Sequence, residues 1–310
     1  MTKRGQRRHF GRQRSNPAPR IPVEYIFDTF TLADLRRKPR LKDEVLRYYW
    51  DHYSALQHQR STVAEEITGA LVRAASSSFP FRRWMRVVDY QFTNHPLSAI
   101  GSVKSMTGGR FNIGDIDPIK FAPFPALYLA SDQDTALAEK FGHPNESDGQ
   151  TVNEMTLRSD RSYSCVAANG TLETVIDLSK MERLRAFVDI IGQFKFPPAL
   201  IGMARRLGIR DQIVSSLADL EAALFQIHWR AMPVQLDVPA SSQIFGQLVA
   251  RAGIEGIVFP SVRSGSGGTA LAVFPQNLQG DSFIELADHP APSATEHVRL
   301  DAKTWRALVC

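Results

Sequence analysis

At 310 residues, 43% of them hydrophobic and 22% charged, the chain can bury a substantial core and reads as globular rather than fibrous or wholly disordered. Its two cysteines, Cys165 and Cys310, exclude a disulfide framework and offer no metal-ligand spacing, so a reducing compartment and no bound metal are expected. No apolar run approaches a membrane span and the N-terminus lacks the apolar centre of a secretory signal, so a protein acting in the cytoplasm, with no membrane partner, is expected.

The net charge of +5 is a local property. Residues 1–20 contain Lys3, Arg4, Arg7, Arg8, Arg12, Arg14 and Arg20 and no acid, and the remainder carries 30 Lys+Arg against 32 Asp+Glu. Residues 1–23 are therefore expected to form a basic, disordered tail. Such a tail can hold nucleic acid or an acidic partner by charge, or serve only as a solubilising arm.

Residues 24–79 read as a helical extension. Thr31 is placed to cap Leu32–Lys38, Leu41–Leu56 has helical apolar spacing, and Thr62–Ala75 forms a third helix that ends at the Ser76-Ser77-Ser78 linker. The main domain is expected over residues 80–310. Trp84–Val88 reads as its first strand, with Arg83 and Arg86 on opposite faces.

Gly108-Gly109-Arg110-Phe111-Asn112 opens the most informative stretch. Two glycines permit positive φ or close backbone approach. Arg110 brings a planar fork of donors suited to phosphate, and Asn112 brings both a donor and an acceptor. After a proline-rich connector, Ala126–Ala130 reads as a buried strand carrying Tyr128. Ser131-Asp132 is a helix start, and the helix Gln133–Lys140 sets Glu139 near its C-terminal end, where the helix dipole disfavours a carboxylate.

Further on, Thr151–Arg158 and Leu172–Leu178 read as strands. Met181–Ile190, Ala199–Leu207 and Asp211–Trp229 read as helices. Ser241 or Ser242 suits the N-cap of a helix running through Ala252. Gly256–Pro260 leads to Ser261 and a loop containing Gly265, Gly267 and Gly268, a plausible ligand rim. A strand at Ala270–Phe274, then one more strand and a helix near Ala302–Leu308, complete the chain.

The order glycine-glycine-Arg-aromatic-Asn, then Tyr128-Leu129-Ala130, then Ala136-x-x-Glu139 resembles the RES domain family, named for its Arg, Glu and Ser. The ending Gly253-x-x-Gly256-Ile257-x-x-Pro260-Ser261-x-Arg263 is similar to that family too, and the resemblance spans about residues 80–278. It implies an α+β fold with an ADP-ribosyltransferase-like split mixed β core, surrounding helices and, here, an added N-terminal helical extension. It does not imply a Rossmann fold, and no G-x-G-x-x-G follows a strand.

The resemblance also implies that NAD⁺ is the substrate and that its nicotinamide–ribose bond is cleaved. Nicotinamide leaves as a neutral base, so the barrier lies in an oxocarbenium-like ribose of the kind met in glycoside hydrolysis. On this reading Glu139 stabilises the developing cation, Tyr128 stacks on nicotinamide, and Arg86 and Arg110 clamp the pyrophosphate, while Asn112 and one of Ser241, Ser242 or Ser261 orient hydroxyls. The implied protein is an NAD⁺-depleting toxin, a glycohydrolase or phosphorylase, held by a protein antitoxin or immunity partner of Xre-like or other type, or delivered into a competitor cell without a cleavable signal. A second reading keeps the pocket but transfers ADP-ribose to a protein. Leu137 stands where Arg-directed transferases carry a second glutamate, which argues against arginine as the acceptor. A third is a non-enzymatic nucleic-acid binder acting through residues 1–20.

Overall fold

The structure is a computed structural model and describes residues 32–141, 162–209, 213–262, 267–288 and 295–309. The expected basic tail, the expected strand at 151–158 and residues 263–266 of the glycine-rich loop lie outside the described residues. The chain divides into two units, Met1–Val45 and Leu46–Cys310. In the first, the described residues belong to the opening of helix α1 (Leu32–Thr62), which runs unbroken where two helices are expected.

The second unit is built on a seven-stranded mixed sheet. Its strands are β1 (Ser76–Asp89), β2 (Leu127–Ala130), β3 (Tyr163–Asp177), β4 (Gly256–Pro260), β5 (Thr269–Val273), β6 (Phe283–Leu286) and β7 (Arg299–Asp301), in the order β1-β2-β5-β4-β3-β6-β7. β1 also pairs with β3 along nearly its whole length, so β1, β2, β5, β4 and β3 close into a ring that removes two edges. The boundary expected near Pro80 falls inside β1, and the Ser76-Ser77-Ser78 linker is the start of that strand.

One edge of β3 belongs to β1; the other is divided. Ala168–Thr171 pair antiparallel with β6, whereas Val175–Asp177 pair parallel with β4. Between them the ladder opens, and the side chain of Glu255, wholly buried, fills the opening. Its Oε2 accepts hydrogen bonds from the Glu173 N–H (2.6 Å), the Thr174 N–H (3.2 Å) and the Ser282 hydroxyl (2.9 Å), and its Oε1 from the Gln279 N–H (3.1 Å). Buried backbone donors need partners, and one carboxylate supplies what a continuous neighbouring strand would have supplied. The core is thus the split mixed β structure that the resemblance implies, with helices around it.

Strand alternation sorts the core into two faces. Leu271, Val273, Val258, Leu127 and Leu129 point to one, together with Leu97, Ile284 and Leu300. Ala270, Ala272, Ile257 and Phe259 point to the other, where the helices α2 (Ala64–Ala74), α5 (Arg185–Ile191), α7 (Leu217–Leu224) and α9 (Ser241–Arg251) cover them. α2 contributes Ile67, Ala70, Leu71 and Ala74 to this core, so the last of the three helices expected before residue 80 is embedded in the sheet's own packing. α3 (Ile100–Lys104), α4 (Gln133–Phe141), α6 (Pro198–Leu207) and α8 (Ala231–Leu236) complete the described helices. The helix expected over residues 211–229 is shorter: it starts at the Ser216 cap and ends at Leu224, and α8 follows an irregular segment. Near the C-terminus two strands form where one is expected.

Candidate active site

The site grows from the turn at Gly108–Asn112. Gly108 has φ +68°, a conformation that favours glycine, and a Cβ at Gly109 would run into the Tyr128 phenol. Asn112, fully buried, closes the turn: its Oδ1 accepts from the Gly109 N–H (2.8 Å) and the Tyr128 hydroxyl (2.9 Å). Its Nδ2 donates to the carbonyls of Ser102 and Phe124, both at 3.0 Å. Gln243 of α9 holds the turn from the opposite side through the carbonyls of Thr107 (2.6 Å), Gly109 (3.1 Å) and Asn112 (2.9 Å). The Phe111 ring is buried against Phe245 and Phe259, and its carbonyl approaches Gly246 so closely that a Cβ there would clash.

This scaffold delivers Arg110 to a cavity of about 220 Å³. Arg110 is 4% exposed; its Nη1 donates to the carbonyls of Leu224 and Gln226, both at 3.1 Å, and its guanidinium lies 6.0 Å from the Trp229 ring. The cavity is also lined by Arg86, Tyr128, Glu139, Lys140 and Arg230. Small residues on the same face, Ala136 and Ala270, leave the room.

Arg86 reaches the cavity from β1, three residues after Arg83. Between Phe81 and Trp84 the strand is irregular: Arg83 has φ +50° and turns outward to Asp288 (3.1 Å), while Arg86 turns inward. Arg86 donates to the carbonyls of Tyr128 (3.2 Å) and Ser98 (2.8 Å), and its Nε is buried with no hydrogen-bond partner. With no carboxylate beside it, burial pushes this guanidinium down to about 10.

Tyr128 stands on β2 with its ring in the cavity wall. Its hydroxyl accepts from the Phe111 N–H (3.0 Å) while donating to Asn112. Burial raises its pKa well above that of a free phenol. The hydroxyl is therefore committed to the turn, and what the cavity sees is the ring.

Glu139 is set by α4. Asp132 caps this helix by accepting from the Thr135 N–H (2.8 Å) and the Thr135 hydroxyl (2.8 Å), in agreement with the expected helix start. One oxygen of Glu139 accepts a 2.6 Å hydrogen bond from Ser261, which is 6% exposed at the end of β4. The carboxylate disfavoured by the helix dipole is compensated by this charge-assisted bond from the sheet. The neighbouring Lys140 pairs with Asp89 at 2.8 Å.

The residues singled out in the sequence thus divide. Arg86, Arg110, Tyr128 and Glu139 line one cavity, and Ser261 joins them through Glu139. Asn112, expected to orient a bound hydroxyl, does not line it, and both polar atoms of its side chain are hydrogen-bonded inside the protein. Ser241 lines a different cavity, and Ser242 is wholly buried with its hydroxyl unpartnered. Neither caps α9: the cap residue is Ala240, whose N–H is bonded by the Gln243 side chain at 3.0 Å. Two cavity residues escape sequence reasoning, Trp229 and Arg230, which stack at 4.6 Å. Their one visible signal is an aromatic-cation pair just after an apolar helix, and that pattern reads equally well as core plus solvated charge.

A family model described as the RES domain matches residues 80–292. The chain belongs to the RES domain family. Among solved structures, a chain of the M. tuberculosis MbcT–MbcA toxin–antitoxin complex matches with 15% identity and a TM-score of 0.42, over 79% of this chain and 97% of that one. No curated protein matches the chain. The RES match spans the whole cavity, from Arg86 on β1 to Ser261 after β4, and includes the segment that carries Trp229 and Arg230. Among the described residues no group of three or more His, Cys, Asp or Glu is placed to hold a metal ion, and no helix is long and apolar enough to cross a membrane.

Proposed function

We propose that this RES domain consumes NAD⁺ by breaking its nicotinamide–ribose bond. The observation that carries the reading is the charge arrangement of one cavity: among the described residues a single carboxylate, Glu139, faces a wall that includes Arg86, Arg110 and Arg230. A dinucleotide presents the complementary pattern, an anionic pyrophosphate joined to a ribose that becomes cationic as nicotinamide departs. The guanidinium groups would bind the pyrophosphate. Glu139, aimed by Ser261, would stabilise the oxocarbenium-like ribose, and the Tyr128 and Trp229 rings offer stacking surfaces for the flat base.

In the step itself the C–N glycosidic bond breaks and its electron pair stays with nicotinamide, which leaves neutral. Water or inorganic phosphate then adds to the ribosyl carbon and gives up a proton, yielding ADP-ribose or its phosphorylated form. A protein nucleophile in place of water would give ADP-ribosylation. RES membership supports a toxin, and an enzyme that drains NAD⁺ requires a protein antitoxin or an immunity partner in the cell that makes it.

The test is purified full-length protein incubated with NAD⁺, with and without phosphate, and chromatography of the products. Glu139→Gln keeps an oxygen for Ser261 and is expected to fold normally while slowing nicotinamide release by about a hundredfold or more, the range seen when a transition-state electrostatic partner is removed. Retained turnover would remove Glu139 from the mechanism. Release only in the presence of cell extract would establish the transferase instead.

A further inference from the structure

A second cavity, of about 150 Å³, lies among the later part of α1, α5, α7 and α9. Its wall is mostly apolar, and Phe187, Leu220, Val238 and Leu248 contribute to it; among the described residues no carboxylate does. Among the described residues Arg60 of α1 is the one Arg, Lys, Asp or Glu that lines it, beside His52, and Arg60 is only 7% exposed. Gln57 accepts from its Nε (3.3 Å) and Nη2 (3.2 Å), and the Tyr53 ring lies 5.5 Å away. The Tyr53 phenol also hydrogen-bonds it, and the further ionic influence on it is Arg251, a charge of the same sign.

A buried guanidinium normally comes with a carboxylate, because an uncompensated charge is expensive away from water. Burial lowers this one to about 10, so it remains protonated at neutral pH. The protein therefore maintains a cation, faced by no carboxylate among the described residues, on the wall of a mostly apolar chamber. Helix packing alone does not call for that: methionine would fill similar volume without the charge.

We propose that this cavity binds a small amphipathic carboxylate, its head group on Arg60 and its apolar body against Phe187, Leu220 and Leu248. The ligand class follows from the two halves of the site. The cation selects a monoanion and the wall selects hydrocarbon, whereas a nucleotide or sugar would leave polar groups unmatched in it. The inference is independent of the NAD⁺ reading, since it concerns a different cavity and a binding readout.

Isothermal titration of the full chain with sodium octanoate, and with octan-1-ol as the uncharged probe of equal length, tests it. Octanoate is expected to bind at least about tenfold more tightly than the alcohol, the factor one charge-assisted hydrogen bond supplies. Arg60→Met is expected to abolish that preference while leaving the ligand-free melting temperature unchanged or higher, because it removes an uncompensated buried charge. Ala223→Phe leaves Arg60 in place and is expected to block octanoate by filling the chamber. Equal affinity for acid and alcohol, octanoate binding that survives either substitution, or no heat of binding with the wild-type chain would each overturn the proposal.

Discussion

Replacing Asn112 by alanine distinguishes a residue that holds the site together from one that touches substrate. The wild-type side chain satisfies the Gly109 N–H, the Tyr128 hydroxyl and the carbonyls of Ser102 and Phe124, all inside the protein. Alanine leaves these four groups without their partner. An unsatisfied buried polar group costs about 1–3 kcal/mol, and if water entering the vacated space repairs about half of the loss the net cost is about 4 kcal/mol. For a domain of this size that corresponds to a melting temperature lower by about 10 °C. Urea unfolding of the full-length chain, followed by far-ultraviolet circular dichroism, reads the difference from the shift in midpoint at constant slope. If Asn112 instead contacted substrate, the variant would lose turnover with stability changed by less than about 1 kcal/mol, within the ordinary range for an exposed substitution. That result would refute the structural role.

Other outcomes follow from the same contacts. Glu255→Gln replaces one carboxylate oxygen by an amide that points donors at donors, and is expected to cost about 2–3 kcal/mol in urea unfolding with no specific loss in NAD⁺ affinity. Tyr128 binds its proton more tightly in the folded state than in the unfolded one. Its contribution to stability is therefore complete below pH of about 10, where both states are protonated, and falls as pH rises beyond it, because the unfolded chain ionises first. Tyr128→Phe is expected to flatten this alkaline decline and to cost about 1–2 kcal/mol at neutral pH, through the orphaned Phe111 N–H and the loss of one of the two donors to the Asn112 oxygen. Stability measured across alkaline pH in both proteins decides the point; identical slopes would show that the phenol does not drive the decline.

Local chemistry was legible where neighbours in sequence are also neighbours in space. The Asp132 cap, the β2 strand, α9 and β4 follow from periodicity and capping residues, since hydrogen bonds one turn or one strand pair away set them. Glycines at 108 and 109 signalled a special turn, which the positive φ of the first and the tyrosine packed on the second explain. Where the reading overran, long-range packing decided. Apolar periodicity carried the expected helix through to Trp229, yet α7 stops at Leu224, and the carbonyls of Leu224 and Gln226 point to Arg110. A serine pair looked like a cap, but the cap position falls on Ala240, whose N–H donates to the side chain of Gln243 in the first turn.

The sequence by itself determined the family and four residue types of the cavity region: one Arg on the first strand, the GGRFN turn, a strand tyrosine and a helix glutamate. Only tertiary structure decided which of those groups line the cavity. Asn112 and the Tyr128 hydroxyl satisfy each other and the turn, because buried polar groups find partners before they are left for a substrate. Ser261, distant in sequence from Glu139, reaches it because β4 ends beside α4. Arg230 enters from a segment whose path is set by where α7 ends, and no local pattern encodes that end point.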